Sequence, residues 1–340
     1  MTLLPAARIT DPTAHGATVL GALGGAAAGA VGGAIFGASV GGPLGAVAGA
    51  LVGGLLGGLA GAAIGSFISV NGSLTSPGSA NVTIDNLKAA RLSDFNACGM
   101  PPHAPNQVIS GAEFVTYNGL FASRETDKSI CSGNITQGSK DVVIGGPTLE
   151  FRVHQTAKSW LTGTAAGNTM VAVSSHSKTI YILSFLEYSG PNASQQYAAD
   201  AKAQIEAMWG GQTATINGVT YNVNVQVNTQ VRNASDPATP GYDQINVDSA
   251  VTRADQYLYG DGGGNQNPSN VAPSSYVAAH EYGHSLGLPD EYVDTPTGSQ
   301  PIDPSKTNNI MSQTWPDASG NPPHPYNDHY EAILNNYGWP

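Results

Sequence analysis

The sequence predicts a multidomain protein: a small β-layered module with an inserted apolar helical hairpin, followed by a larger α+β domain that carries the chemistry. Three observations predict it. Short motifs repeat on both sides of a charge-free, glycine-periodic tract. The repeats stop at Gly145-Gly146-Pro147, where ordinary mixed composition begins. Far into that second half stands His280-Glu281-Tyr282-Gly283-His284, two imidazoles and a carboxylate on one helical turn. A chain of 340 residues has length for two or more domains with real cores. Its 13 basic against 24 acidic residues leave a formal charge of −11. No lysine-arginine cluster exists to hold phosphates, so nucleic acid is not expected as a partner.

The first segment, residues 1–15, contains Pro5-Ala6-Ala7-Arg8-Ile9-Thr10-Asp11. Arg8 and Asp11 interrupt it before any apolar core of a signal peptide develops, so no signal peptide is expected. From Gly16 to Val70 no residue is charged, and glycine recurs at every fourth position from 21 to 41 and from 45 to 65. In water each such glycine opposes a helix by about 1 kcal/mol relative to alanine. In a bilayer the backbone must bond to itself, and small residues four apart let two helices approach closely. Gly41-Gly42-Pro43 breaks the tract into two arms of roughly 25 residues, each long enough to span. Residues 16–70 are therefore expected to form a glycine-zipper transmembrane hairpin; a flexible linker would favour serine and charge over Leu, Val and Ile.

Residues 72–147 return to the opening motif. Lys88-Ala89-Ala90-Arg91-Leu92-Ser93-Asp94 repeats it closely, and Phe121-Ala122-Ser123-Arg124-Glu125-Thr126-Asp127 is a worn copy. A second unit alternates with it: Gly78-Ser79-Ala80-Asn81-Val82-Thr83-Ile84, Gly111-Ala112-Glu113-Phe114-Val115-Thr116-Tyr117, and Gly138-Ser139-Lys140-Asp141-Val142-Val143-Ile144. Each pairs a glycine turn with a short alternating strand, the pattern of small stacked β-layers. His15, Cys98, His103 and Cys131 are spread one or two per repeat, a set able to converge on a tetrahedral structural zinc. With only two cysteines in the chain, a disulfide between Cys98 and Cys131 is the alternative.

Residues 149–340 form the last domain. Runs at 149–157 and 169–188 are strand-like, Ser194 to Met208 is an amphipathic helix, and Asn217-Gly218 turns a hairpin into Tyr221–Val227. Were that strand the sheet edge above a cleft, a peptide could add to it, and proline at Val225 would weaken cleavage. Ser274 and Ser275 are capping candidates for a helix over Tyr276–Leu286, which Gly287 can end in a left-handed turn. On that helix His280 and His284, at i and i+4, can grip one metal together. Glu281, one residue round, suits a base that takes a proton from the attacking water.

The motif extends through Gly287 to Asp290-Glu291-Tyr292, and Asn309-Ile310-Met311-Ser312 follows. With this second element, which is similar to the methionine turn of metzincin-type peptidases, the domain resembles the zincin metallopeptidases. That resemblance implies a catalytic zinc, Glu281 as general base, and a third protein ligand. Asp290 lies at the metzincin spacing. Similar toxin-associated zincins with a Leu-Pro-Asp-Glu-Tyr stretch draw the last ligand from a late helix, which favours His329 over Asp290 or Glu331. Asp290 and Glu291 would then orient the imidazoles. Tyr326 or Tyr330 is a candidate donor to the developing oxyanion, and His324, among prolines, a solvated loop histidine.

Residues 1–15 and 72–147 resemble the PAAR-repeat domain that tips the type VI secretion spike, in the split form whose first segment precedes transmembrane helices. PAAR tips usually carry three histidines and one cysteine, so the two-and-two set here is a modest departure. The full expectation is a small β-layered PAAR cone with an inserted apolar helical hairpin, followed by an α+β zincin-like metallopeptidase domain. Two Zn2+ ions are implied, one catalytic and one structural. Implied partners are the trimeric spike protein, a dedicated chaperone covering the apolar hairpin, an immunity protein, the target membrane and a peptide or protein substrate. The chain would travel from the producer cytoplasm into the periplasm or cytoplasm of a target cell as an antibacterial effector. The competing readings are a membrane-disrupting toxin, in which the hairpin kills, and a structural tip without catalysis.

Overall fold

The computed structural model describes residues 3–16, 69–98, 105–154, 168–260, 263–296, 298–313, 316–317 and 319–340. The chain divides into two compact units, Met1–Thr148 with Trp160–Thr164, and Leu149–Ser159 with Ala165–Pro340. The expected apolar hairpin lies outside the described residues, save for its two ends. Strand Pro12–Gly16 pairs antiparallel with strand Ser69–Leu74, His15 opposite Val70, so the chain leaves and re-enters the first unit at neighbouring strands. Among the described residues no helix is long and apolar enough to cross a membrane.

The repeats of the first unit close into a pseudo-threefold ring. Ala7 N–H donates to Ser123 O (3.0 Å), Ser123 N–H to Ala90 O (3.1 Å), and Ala90 N–H to Ala7 O (2.9 Å). All three residues are fully buried, and only small side chains allow three backbones to meet so closely. After each, an aspartate folds back on its own arginine. Asp11, Asp94 and Asp127 accept the backbone N–H of Arg8, Arg91 and Arg124 at 2.7, 2.8 and 2.7 Å, and their guanidinium groups as well. The turn between them puts Thr10, Ser93 and Thr126 in the left-handed region, at φ 83°, 68° and 75°. The third copy, worn in sequence, keeps the geometry of the other two. Leu74, Val108 and Ile135 pack with Ala7 and Ala90 as one core cluster. Burying so little apolar surface leaves much of the stability to these polar rings.

The second unit is an eight-stranded mixed sheet carrying helices. Its strands are β1 Arg152–Val153, β2 Thr169–Ser174, β3 Thr179–Ser189, β4 Thr213–Ile216, β5 Val219–Val231, β6 Asp243–Val247, β7 Asp255–Gln256 and β8 Gly264–Gln266. The long β3 is the spine. One side pairs parallel with β5; the other pairs antiparallel with β2 and then, beyond Phe185, parallel with β6. The sheet continues through β8 to β7, its last strand. Asn217 and Gly218, at φ 49° and 77°, make the β4–β5 turn, as the Asn-Gly pair predicts.

The expected edge strand is only partly free. Val225 is buried and pairs with Ile182 of β3, but β4 covers β5 only over Val219–Asn222; beyond it the Val227 N–H and carbonyl are taken by Glu206 and Lys202 of α1. Even β4 is covered: Asn327 binds both the N–H and the carbonyl of Thr215.

Helix α1, Gln195–Trp209, follows a Ser194 cap and lays Ile205, Met208 and Trp209 on the sheet. Helices α2, Val277–Ser285, and α3, Asn327–Asn336, join the same core through Ala278, Tyr282, Ile333 and Leu334. β9, Tyr292–Thr295, and β10, Gly298–Pro301, form an exposed hairpin after α2.

Candidate metal centre

Helix α2 is short because its ends are set from outside it. It begins one residue later than expected, and the serines do not cap it: Ser275 Oγ lies a long 3.4 Å from Val277 N. Gln204 of α1 does the work instead, accepting from Ala279 N–H at 3.1 Å and donating to Ser275 O at 2.6 Å. At the other end Gly287 takes φ 84° and Leu288 N–H returns to Gly283 O. A Cβ on Gly283 would overlap Met311 Sδ, so the thioether sits directly against the helix bearing the histidines.

This clamped helix presents His280, Glu281 and His284, all buried, at the floor of a cleft. His280 Nδ1 donates to Ile310 O, and His284 Nδ1 to Leu288 O, both at 2.7 Å. A carbonyl only accepts, so each ring proton is fixed on Nδ1 and each Nε2 lone pair faces inward. There the two Nε2 atoms meet Asp290 Oδ1 at 3.1 and 3.4 Å. Three acceptors thus converge, lying within 4.8 Å of one another, and this is the ligand-type cluster found among the described residues. Acceptors facing acceptors are satisfied by a proton or a cation. Burial opposes charge on both sides, yet contact with the imidazoles holds the Asp290 carboxyl well below the usual carboxylate range, and contact with Asp290 raises the His284 pKa. The donor set, two imidazoles and one carboxylate with room for a fourth position, fits a catalytic zinc.

Glu281 stands beside this cluster with a different environment. Its Oε2 is buried without a hydrogen-bond partner among the described residues, and burial pushes its carboxyl up, against the pull of His280 and His284. An unpartnered carboxylate oxygen in a cleft is placed to receive a proton from a water held there.

His329, expected as the third ligand, is elsewhere engaged. Its Nδ1 accepts Tyr326 N–H at 2.9 Å, capping α3, which puts its proton on Nε2. That proton goes to Glu291 Oε1 at 3.1 Å. A ring with both nitrogens committed has no lone pair for a metal, and burial lowers its pKa, keeping it neutral. Glu291 is the hub here, also taking Asn309 Nδ2 at 2.5 Å and Lys306 Nζ at 3.1 Å while its N–H bonds Met311 O. The bonds tie the methionine turn to the segment bearing Asp290. Glu331 binds Asn327 Nδ2 on the exposed face of α3. Tyr330 OH is spent on Trp209 O and Tyr326 OH on Thr307 O, so neither reaches the cluster; His324 is exposed, as expected. Sequence reasoning gave no role to Arg253 or Tyr292, which line the cleft above His280 and Glu281.

Of the four residues expected at the structural zinc, Cys98 and Cys131 come together as thiols rather than as a disulfide, with Sγ atoms 3.0 Å apart. Ser129 Oγ lies 3.3 Å and Asn96 Nδ2 3.6 Å from the Cys131 sulfur. The His15 side chain and all of His103 lie outside the described residues.

The catalytic-domain model of the immune inhibitor A peptidase M6 family matches residues 246–336, which run from β6 to the end of α3. That span contains His280, Glu281, His284, Asp290 and Met311. The C-terminal domain is a metallopeptidase catalytic domain, and the protein is a hydrolase of peptide bonds. Among solved structures, that of myroilysin is similar at 12% identity over 46% of this chain and 94% of its own, with a TM-score of 0.27, too low to compare folds. Comparison with curated proteins gives no match.

Proposed function

We propose that this chain is an antibacterial effector of the type VI secretion system, in which a PAAR spike tip delivers a zinc-dependent peptidase. The convergence of His280 Nε2, His284 Nε2 and Asp290 Oδ1 beside the unpartnered Glu281 carboxylate carries the enzymatic half. His280, His284 and Asp290 would hold the zinc, which when bound would lower the pKa of a water and polarise the scissile carbonyl. Glu281 takes the proton of the attacking water and passes it to the leaving amine. The Ile310 and Leu288 carbonyls keep both imidazoles in the ligating tautomer throughout. The substrate lies extended along β7, the last strand of the sheet, which follows directly on the cleft residues Arg253 and Ala254.

The delivery half draws support from the ring of Ala7, Ala90 and Ser123, since a module with three equivalent faces suits docking on a trimeric spike. The apolar tract, covered by a chaperone before loading, assists entry through the target membrane, and an immunity protein guards the producer. Expression of the peptidase-bearing chain in a susceptible cell tests the whole: toxicity that depends on Glu281 supports it. Killing undiminished in Glu281→Ala with the metal retained points instead to membrane disruption by the hairpin.

A further inference from the structure

Two cavities open above α2, one of about 800 Å3 bounded by Ser249, Asn270 and Gln313, and one of about 370 Å3 bounded by Leu258 and Pro289. His280, Glu281, Tyr292 and Arg253 line both. Arg253 is tethered there: Nη1 donates to Asp294 Oδ2 and Nη2 to Tyr292 OH, each at 2.8 Å. It is the one lysine or arginine among the described lining residues, in a cleft whose other charges include Glu281, Asp255, Asp290 and Asp294.

The strength of the tether decides its role. The side chains of Arg253 and Asp294 are 66% and 55% exposed. An ion pair so wet contributes little to stability and exchanges readily for another carboxylate. A guanidinium fork, by contrast, grips an incoming carboxylate with two parallel hydrogen bonds. Tyr292 keeps the fork over the site, its ring 6.0 Å from Arg253 Cζ and 6.1 Å from the His280 ring. At roughly 3.3–3.6 Å per extended residue, those steps place Arg253 within about two to four residues of the bond being cut.

We propose that Arg253 determines substrate specificity by binding an acidic side chain of the substrate near the scissile bond, displacing Asp294 as it does so. The assignment rests on the metallopeptidase reading of the same cleft and adds the substrate class: peptides carrying a carboxylate close to the cleavage point. Asp294 is the place-holder that keeps the guanidinium oriented before substrate arrives.

The test is a set of matched fluorogenic peptides, with Glu, Gln or Lys at each position flanking the cut, given to the full metal-loaded chain. Wild type is expected to cleave the best Glu peptide roughly tenfold to a hundredfold more efficiently, in kcat/KM, than its Gln partner. Added salt should shrink that ratio. Arg253→Gln should bring it to about one, and Arg253→Glu should favour the Lys peptide. Equal cleavage of Glu and Gln peptides by wild type overturns the assignment, as does a preference that survives in Arg253→Gln. Failure of the metal-loaded wild type to cut any peptide would overturn the peptidase reading beneath it, so the two failures are distinct.

Discussion

At the residue scale the decisive contrast is between Asp290 and His329. Both are carried near α2 by polar bonds, but only Asp290 offers an uncommitted oxygen to the two Nε2 atoms. Asp290→Ala should lose most of the metal from this site on dialysis, whereas His329→Ala should keep it and lose about 1–2 kcal/mol of stability through the stranded Glu291 oxygen. Metal content by mass spectrometry, with urea melts alongside, checks both; metal lost from His329→Ala would reverse the assignment. The His280–His284 pair was legible in the sequence because i,i+4 spacing is local chemistry. The engagement of His329 was not, since it depends on which nitrogen of its ring the Tyr326 N–H claims, a contact set by how α3 is capped. Arg253 escaped for a similar reason: nothing near it in sequence signals that it lines a cleft.

At the scale of elements, α2 holds its histidines because other elements hold α2. Gln204→Ala removes its cap from α1 and should cost about 1 kcal/mol, read by chemical denaturation. Gly283→Ala drives a Cβ into Met311 and Trp209 and should cost about 1–3 kcal/mol by overpacking while loosening metal binding; a fully stable, fully loaded variant would contradict the packing described. Under the sheet, Glu187 of β3 is buried among Arg232, Gln230 and Thr239. Burial pushes its carboxyl up, but these hydrogen bonds outweigh it and leave the pKa below the ordinary glutamate value. A lowered folded pKa contributes stability that is present above the ordinary value and lost as pH falls through the lowered one. Glu187→Ala should therefore cost about 3 kcal/mol at neutral pH, where it strands Arg232, and less in acid; an equal loss at both would contradict the paired charge. Strands and the Asn217-Gly218 turn were readable from alternation and turn chemistry. How far β5 is paired was not, because sheet order is a non-local choice: the Tyr221–Val227 pattern fits an edge as well as an interior strand, and β4 covers only its first residues.

For the whole molecule, repetition was the most legible feature. The Ala-Ala-Arg motifs implied equivalent units, and the ring of Ala7, Ala90 and Ser123 gives that equivalence a physical form, even though Ser123 and Glu125 blur the third copy. The glycine-periodic tract leaves and returns at paired strands, so an insertion there need not disturb the ring. On the proposal that Cys98 and Cys131 hold a second zinc, analysis of the intact chain should give two ions, with His280→Ala and Cys98→Ser each losing one independently. A single ion, or one lost from both variants, would contradict two separate sites.

Cleavage by Glu281→Gln bears most directly on the central claim, that a metal held by His280, His284 and Asp290 works with the Glu281 carboxylate to hydrolyse peptide bonds. The measurement is release of new peptide termini by the metal-loaded chain and this variant, side by side with their metal content. The variant should bind the same metal and cut about a thousandfold more slowly than wild type. Undiminished cleavage by Glu281→Gln, with metal held at the site, would contradict the account.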